Sequence, residues 1–350
     1  MPVDSGDSDR RLDPDRGASW GGTVILLMVV VATGHFNRIG ISVAGAERII
    51  PQYGITPKNM GLVYSAFLLF YTLAMLPGGW LVDRLGARAA LVFLGFGSAI
   101  FVALTGATGL ALQGGGAILI GLIVVRGSLG LTNAPLHPAS ARMVFDRVPR
   151  RSRGLANGLV TFSACLGIAA SYHAMGKLID LFGWPTAFLV SGGLTMMVAS
   201  VWTFYSRPSP KPFGTAPIPR YATSDPASLL RVIGDRSVIC ITLAYAAYGY
   251  FQYLFFYWIE YYFVEIQQQS VSVARGYSTM ITLAMGVGMI SGGWLADRVP
   301  RSFSLRTRRA LVPVLGMIAS GVVFEAGLLA SSARATLVAF VVRRDRKSVV

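Results

Sequence analysis

The stretch GGWLVDRL at residues 78–85 recurs as GGWLADRV at residues 292–299, and six of the eight residues are identical. Each copy closes a long apolar run, and a bilayer span needs about 20 mostly apolar residues. The first copy ends the second such run along the chain and the second copy ends the eighth. Because sequence and position repeat together, the pattern predicts two related halves arranged in parallel about an axis normal to a membrane.

Nine apolar runs are long enough to be spans, and a tenth begins near Ala335. The predicted spans are residues 21–44, 60–82, 89–111, 116–141, 155–179, 185–205, 238–263, 279–295 and 310–330. Hydrophobic residues make up 53% of the 350-residue chain and charged residues only 13%, against about 25% charged in soluble domains. The composition excludes a soluble globule, and we expect an all-α polytopic membrane protein with a six-helix first half followed by a second half.

The net charge of +15 fits either a nucleic-acid-binding protein or a membrane protein with basic cytoplasmic loops. Twenty Lys and Arg residues fall in the N-terminal tail and the even-numbered loops, and five fall in the odd-numbered loops. This alternation follows the positive-inside rule. It predicts an integral protein of a bacterial inner membrane with a cytoplasmic N-terminus, in contact with the lipid bilayer and not with nucleic acid.

The chain divides into five parts. We expect a disordered cytoplasmic tail at 1–19, an N-terminal six-helix bundle at 20–205, a proline-rich cytoplasmic linker at 206–236 and a partial C-terminal bundle at 237–344. Residues 345–350 are expected to be a non-native end, since a DNA string that encodes them resembles a sequencing adapter.

The first repeat continues as Gly86-Ala87-Arg88, and the pattern Gly79-x-x-x-Asp83-Arg84-x-Gly86-x-Arg88 resembles the signature loop of the major facilitator superfamily. A carboxylate at a helix end can dock on the positive N-terminus of a facing helix, and arginines fix such a loop through charge-assisted bonds. The resemblance implies two six-helix bundles, the second incomplete, with nine to ten of twelve helices present. It also implies a gate that breaks when a transporter inverts, in which the first aspartate docks on an eleventh helix and its repeat on the fifth. We therefore expect Asp297 to have a partner near 154–157, whereas the eleventh helix that Asp83 would need is expected to be missing. The predicted gate residues are Gly79, Asp83, Arg84, Gly86, Arg88, Asp297 and Arg298. The alternative is ordinary topology-setting charge.

Two arginines fall inside predicted spans, Arg38 in the first and Arg126 in the fourth. An arginine in the membrane costs at least about 2.5–3.5 kcal/mol, so each points to a function. Two guanidiniums facing a central cavity would bind an anion, preferably a carboxylate held by two bonds. The alternative for Arg38 is that it snorkels to the headgroups at the outer end of its span.

The segment from Asn37 to Ala44 resembles the first helix of the anion:cation symporter branch of that superfamily. The branch usually has Asp-Arg there, and an Arg in the fourth helix followed seven residues later by Glu. This chain keeps Arg38 and Arg126 but has Asn37 and Asn133 in place of the acids. The resemblance implies a substrate site made of these four residues. The missing acids put its usual proton coupling in doubt.

Other groups could carry a proton. His137, between Pro135 and Pro138, is one candidate, although it could equally serve the structure of a bent helix. Glu325, in the ninth predicted span, is the other, and we expect it to be the only acid well inside a span. Aromatic residues of the seventh span are expected to line the cavity or to form an interfacial belt, the belt explaining residues 257–263.

No pattern for a nucleotide-binding loop, a nucleophilic serine, a metal or a cofactor occurs, and no catalytic residue is expected. The sequence therefore favours a secondary active transporter of a small organic anion, a carboxylate or sugar acid, that works by alternating access with protons or another coupling cation as a possible partner. Two alternatives stay open: a carrier of drugs or neutral sugars, and a membrane sensor or scaffold that does not transport.

Overall fold

The computed structural model describes residues 17–206, 234–297, 307, 311, 314–318 and 322. Within these ranges every regular element is a helix. Most of the predicted tail, linker and ninth span, the tenth span, the end at 345–350, and both Arg298 and Glu325 lie outside the described residues.

Seven described helices are long and apolar enough to cross a membrane. They are α1 (Trp20–Tyr53), α2 (Pro57–Leu85), α3 (Ala87–Ala111), α4 (Gly115–Arg147), α5 (Arg153–Phe182), α6 (Trp184–Tyr205) and α7 (Arg236–Ile266). An eighth helix, α8, runs from Val271 to Asp297. The first eight predicted spans fall on these helices in order, so the all-α polytopic architecture is confirmed for this part of the chain. Hydropathy located each span, but it missed some of the first and last helical turns because these are polar.

Four of the helices depart from regular α geometry. α1, α5 and α7 each contain one π-helical segment, at Gly45–Ile49, Ser171–Met175 and Tyr262–Ile266. α4 consists of Gly115–Asn133 and Leu136–Arg147, with a break at Pro135 between them. A proline has no N–H to donate and its ring clashes with the preceding turn, so the break follows from the sequence.

The helices alternate in direction, which gives the described part of the molecule two ends. We call the end that carries Gly86, residues 148–152 and Ser206 the basic end, because most of the described arginines in loops lie there. The other end carries the connections at Gly54, Gly114, Gly183 and Gln268, and we call it the opposite end.

Helix pairing in the first half follows α1 with α5, α2 with α4 and α3 with α6. Small residues bring the backbones together: a Cβ at Gly130 would overlap the Phe67 carbonyl oxygen, and one at Gly167 would overlap that of Ala32. In lipid such close approach is a main source of helix association. From the second half, α7 packs on α1 and α8 packs on α5. In the described part, α1 and α5 thus give the first half its main helix packing against the second, and α2 adds aromatic contacts to α7.

Candidate functional site

Arg126 lies wholly buried at the centre of α4. Its Nη1 donates to the backbone carbonyl of Asn37 at 3.1 Å, and its Nη2 donates to that of Arg38 at 2.8 Å. Both carbonyls belong to the middle of α1. The guanidinium thus crosses from one helix to another and fixes the backbone that carries the second arginine.

Arg38 is 5% exposed, and three aromatic rings surround its guanidinium. The guanidinium carbon lies 4.7 Å from the ring centre of Phe67, 4.8 Å from that of Tyr71 and 4.5 Å from that of Tyr253. Such cation–π contacts are worth more when they are desolvated. The rings come from α2 and α7, so Arg38 lies between the two halves.

Several buried donors at this place make no hydrogen bond of good geometry to another described residue. They are Nε and Nη2 of Arg38, Nε of Arg126 and the hydroxyl of Tyr257. The Tyr257 side chain adjoins both guanidiniums. Buried donors of this kind are costly to leave unsatisfied, and two positive charges with a phenol suit a carboxylate or another oxyanion.

The two asparagines are bound to the helix scaffold. Asn37 Nδ2 donates to Thr195 Oγ1 at 2.7 Å, and its Oδ1 accepts from Ser191 Oγ at 2.5 Å, both on α6. Asn133 Nδ2 donates to Ser98 Oγ and to the Leu129 carbonyl, each at 3.0 Å. The side chains of Asn37 and Asn133 therefore brace α1 and α4, which carry the arginines.

His137 lies just after the break in α4 and is exposed. Its ring centre is 5.7 Å from that of His35, in an edge-on arrangement. His35 is buried, and its Nδ1 donates to the carbonyl of Val31 at 2.9 Å. His137 thus stands beside α1, close to the arginine site, and its proposed proton role stays a prediction.

The first copy of the repeat lies at the basic end, between α2 and α3. Gly86 has φ of 84°, which favours glycine and lets the chain turn directly into α3. Arg88 Nε donates to the Ser206 carbonyl at 2.6 Å and Nη2 to the Thr203 carbonyl at 2.7 Å, so this arginine binds the C-terminal end of α6. Arg84 lies 5.0 Å from the Trp80 ring centre.

The other predicted gate residues lie as follows. Asp83 is exposed, and Gly79 has open space where a Cβ would stand. Asp297 is the last residue of α8, so the second repeat closes the eighth helix as the first closes the second. The expected docking of Asp297 on α5 involves a side chain outside the described part.

Sequence reasoning missed an ionic cluster at the opposite end. It treated Arg275 as a loop charge and expected Glu325 to be the only acid well inside a span. Both expectations are wrong. Glu260 lies inside α7 and is 1% exposed, and Arg275 lies inside α8 and is 7% exposed. A carboxylate within the apolar run 238–263 was the available signal.

The interfacial belt proposed for residues 257–263 is also wrong for two of its members. Tyr257 is 3% exposed and Phe263 is fully buried. Tyr257 stacks on Tyr64 of α2, with 4.8 Å between ring centres. Through this contact Tyr257 joins α7 of the second half to α2 of the first, whereas Phe263 packs against Tyr277 of α8 with 5.2 Å between ring centres.

Comparison with known proteins agrees with this architecture. The chain is 27% identical over 319 residues to the D-galactonate transporter of Escherichia coli O6:H1, covering 85% of this chain and 72% of the relative. It is 32% identical over 179 residues to a probable galactarate/D-glucarate transporter of Bacillus subtilis, covering 51% and 39%. A probable sulfoacetate transporter of Cupriavidus necator is 28% identical over 308 residues, with 85% and 69% covered.

Solved structures share the fold. A bacterial homologue of the human lysosomal transporter Spinster superposes with a TM-score of 0.74 at 20% identity, covering 95% of this chain and 73% of that one. The D-xylose–proton symporter gives a TM-score of 0.62 at 13% identity, with 93% and 79% covered. The family model described as Major Facilitator Superfamily matches residues 26–343. With its long apolar helices and its repeated loop, the chain belongs to the Major Facilitator Superfamily, a family of transporters and not of enzymes.

Proposed function

We propose that this protein carries a small organic anion, a sugar acid such as an aldonate or an aldarate, across the bacterial inner membrane by alternating access. The observation that carries the proposal is the group of unsatisfied buried donors on Arg38, Arg126 and Tyr257. The names of its relatives, which refer to galactonate, galactarate, glucarate and sulfoacetate, support the same chemistry. Each of those solutes carries an anionic oxyacid group.

In this proposal Arg38 and Arg126 hold the carboxylate between the two halves, and Tyr257 donates a third hydrogen bond. A planar guanidinium suits a carboxylate because it can donate two parallel bonds. Asn37 and Asn133 contribute by holding α1 and α4 in place, since their side chains are bound to α6, α3 and the α4 backbone. Because the solute would contact both halves, its binding would favour one arrangement of the two halves over another.

The repeated loops serve as the gate at the basic end, which faces the cytoplasm when the N-terminus is inside. Asp83, Arg84 and Arg88 of the first copy, with Gly79 and Gly86 shaping the turn, would hold this end closed, and Asp297 and Arg298 would do the same in the second copy. The bond from Arg88 to the end of α6 fixes the first repeat against its own half, because a cation stabilises a helix C-terminus.

Transport is tested with the native gene, expressed in a host that lacks its own sugar-acid carriers. Uptake of labelled D-galactonate is expected, with little uptake of D-galactose. Arg38→Gln and Arg126→Gln should each lower D-galactonate uptake at least tenfold. Arg142→Gln is the matched control, since Arg142 pairs with Asp146 at the basic end, away from the site.

Binding of D-galactonate to the purified protein by calorimetry separates the alternatives. Saturable binding that both arginine variants abolish, together with uptake, supports the proposal. Uptake of the neutral sugar that the variants leave intact would identify a neutral-solute carrier. Binding without any flux would identify a sensor.

A further inference from the structure

Glu260 is a buried carboxyl to which no role has been given. It lies in α7 near the opposite end and is 1% exposed. Neither of its carboxylate oxygens has a hydrogen-bond donor among the described residues. Its neighbour is the side chain of Glu47 on α1, within side-chain hydrogen-bonding reach. Two carboxyl groups from different halves therefore face one another inside the protein.

Glu47 is already held by a strong partner. Arg275 Nε donates to its Oε1 at 2.6 Å and Nη2 donates to its Oε2 at 2.7 Å, and the Glu47 side chain is only 2% exposed. A bond from each donor to its own oxygen is the geometry of an ionised carboxylate with a guanidinium. Each Glu47 oxygen still has a lone pair that can accept one more hydrogen bond.

The same arginine ties α8 to α5. Arg275 Nη1 donates to Asp180 Oδ2 at 2.6 Å, and Nη2 donates to the Gly176 carbonyl at 3.1 Å. A Cβ at position 176 would overlap the guanidinium, so glycine makes room for it. Glu47 and Asp180 belong to the first half, whereas Arg275 and Glu260 belong to the second. The cluster is thus a lock between the halves at the opposite end.

The positive charges near Glu260 are engaged by other carboxylates. Arg275 is shared between Glu47 and Asp180, and exposed Arg48 approaches Asp180 at 3.5 Å. From α2, Glu260 is faced by Tyr64, a neutral phenol. If Glu260 were ionised, two carboxylates would face each other with no hydrogen between them. One proton converts this repulsion into an O–H···O⁻ hydrogen bond.

We propose that Glu260 is a proton-binding site, and that its carboxylic acid O–H donates to the Glu47 carboxylate while the halves are joined at the opposite end. When the halves separate, Glu260 loses this acceptor, meets water and releases the proton. The joined state therefore binds one proton more than the separated state, so lowering the pH favours joining. Its role in solute transport rests on the proposed function, whereas the pH-dependent lock does not.

The lock is tested by spin-label distance measurement in the purified protein without solute. Gln52→Cys on α1 and Ser272→Cys on α8 place labels on exposed positions of the two halves at the opposite end. Exposed Cys240 is replaced by serine, and buried Cys165 stays. As the pH falls, the ratio of short to long distances is expected to rise by up to about tenfold per pH unit, as for one linked proton.

Variants decide which group carries the proton. Glu260→Gln keeps a donor toward Glu47 and should hold the short distance at every pH. Glu265→Gln, an exposed glutamate on the same helix, and His137→Gln should both keep the wild-type response. A pH response that survives Glu260→Gln, or one that His137→Gln removes, would overturn the proposal.

Infrared difference spectroscopy of the wild-type protein gives a second test that needs no variant. Raising the pH should remove a carboxylic-acid C=O band over the same range in which the short distance disappears. A constant band would also overturn the proposal. Both measurements are made without solute, so they test the lock even if D-galactonate does not bind. Failure of the lock and failure of the anion proposal can therefore be distinguished.

Discussion

Arg126 is bound to the main chain of Arg38: its Nη2 donates to the Arg38 carbonyl oxygen at 2.8 Å. A second bond, from Nη1 to the Asn37 carbonyl at 3.1 Å, completes a clamp between α4 and α1. Arg126 therefore positions Arg38 besides offering its own Nε to a ligand. The two arginines differ in this respect, because the Arg38 guanidinium contacts aromatic rings of α2 and α7 but donates to no main-chain carbonyl in the described part.

The clamp predicts that the two arginines respond differently to truncation. Arg126→Ala should lower D-galactonate affinity at least tenfold and also lower the free energy of unfolding by about 1–3 kcal/mol, since two buried charge-assisted hydrogen bonds between α4 and α1 are lost. Arg38→Ala should lower the affinity similarly with a smaller change in stability. Calorimetry measures the first quantity and thermal unfolding in detergent the second.

The control for this comparison is Arg126→Lys. A lysine keeps the charge but has no planar fork, so it cannot donate to both carbonyls and to a ligand in the same geometry. Intermediate stability with weak binding is expected. Equal stability of the Arg38 and Arg126 alanine variants would contradict the positioning role.

Asn37 offers a test by restoring an acid. Asn37→Asp keeps an acceptor for Ser191 but removes the donor to Thr195. The new carboxylate would lie one residue from Arg38, and its negative charge would oppose the binding of an anionic solute there. Affinity for D-galactonate should therefore fall about tenfold at neutral pH and recover at acidic pH, where the carboxyl is protonated. Calorimetry over a pH series measures this, and an affinity of the variant that does not change with pH would contradict it.

The sequence predicted the helices well because a bilayer span has a simple signature in length and hydropathy. It also found Arg38 and Arg126, since a charge inside an apolar run stands out. It did not find the contacts of Asn37 and Asn133, which depend on which helix faces which. Three-dimensional pairing, not local pattern, decides whether an amide braces a neighbouring helix.

The ionic cluster at the opposite end was missed for a different reason. Glu47 is 228 residues from Arg275 in the sequence, and both lie near span ends, where charges are normally solvated. Counting charges by loop placed Arg275 at the surface, whereas the structure buries it against Glu47. Only the approach of α8 to α1 and α5 shows that these charges meet.

Arg88 carries a prediction for the basic end. Its bonds to the Ser206 and Thr203 carbonyls satisfy two acceptors that the end of α6 would otherwise expose. Arg88→Ala should lower the free energy of unfolding by about 1 kcal/mol, as for loss of a cation at a helix C-terminus. Thermal unfolding measures it, with Arg84→Ala as the control, because Arg84 contacts the ring of Trp80 on its own helix. Equal losses in both variants would contradict a specific bond to α6.

Two glycines of α5 make a matched pair that tests how closely α1 must pack against α5. A Cβ at Gly167 would overlap the backbone carbonyl of Ala32, whereas one at Gly158 meets nothing within 4 Å. Gly167→Ala should therefore push α1 away from α5, with a loss of about 1–3 kcal/mol as for overpacking, and weaken binding at Arg38 as well. Gly158→Ala should be neutral or stabilising, since alanine favours a helix over glycine by up to about 1 kcal/mol. Thermal unfolding and calorimetry on both variants measure the difference. If the two alanines had the same effect, the contact between α1 and α5 would not position the arginine site.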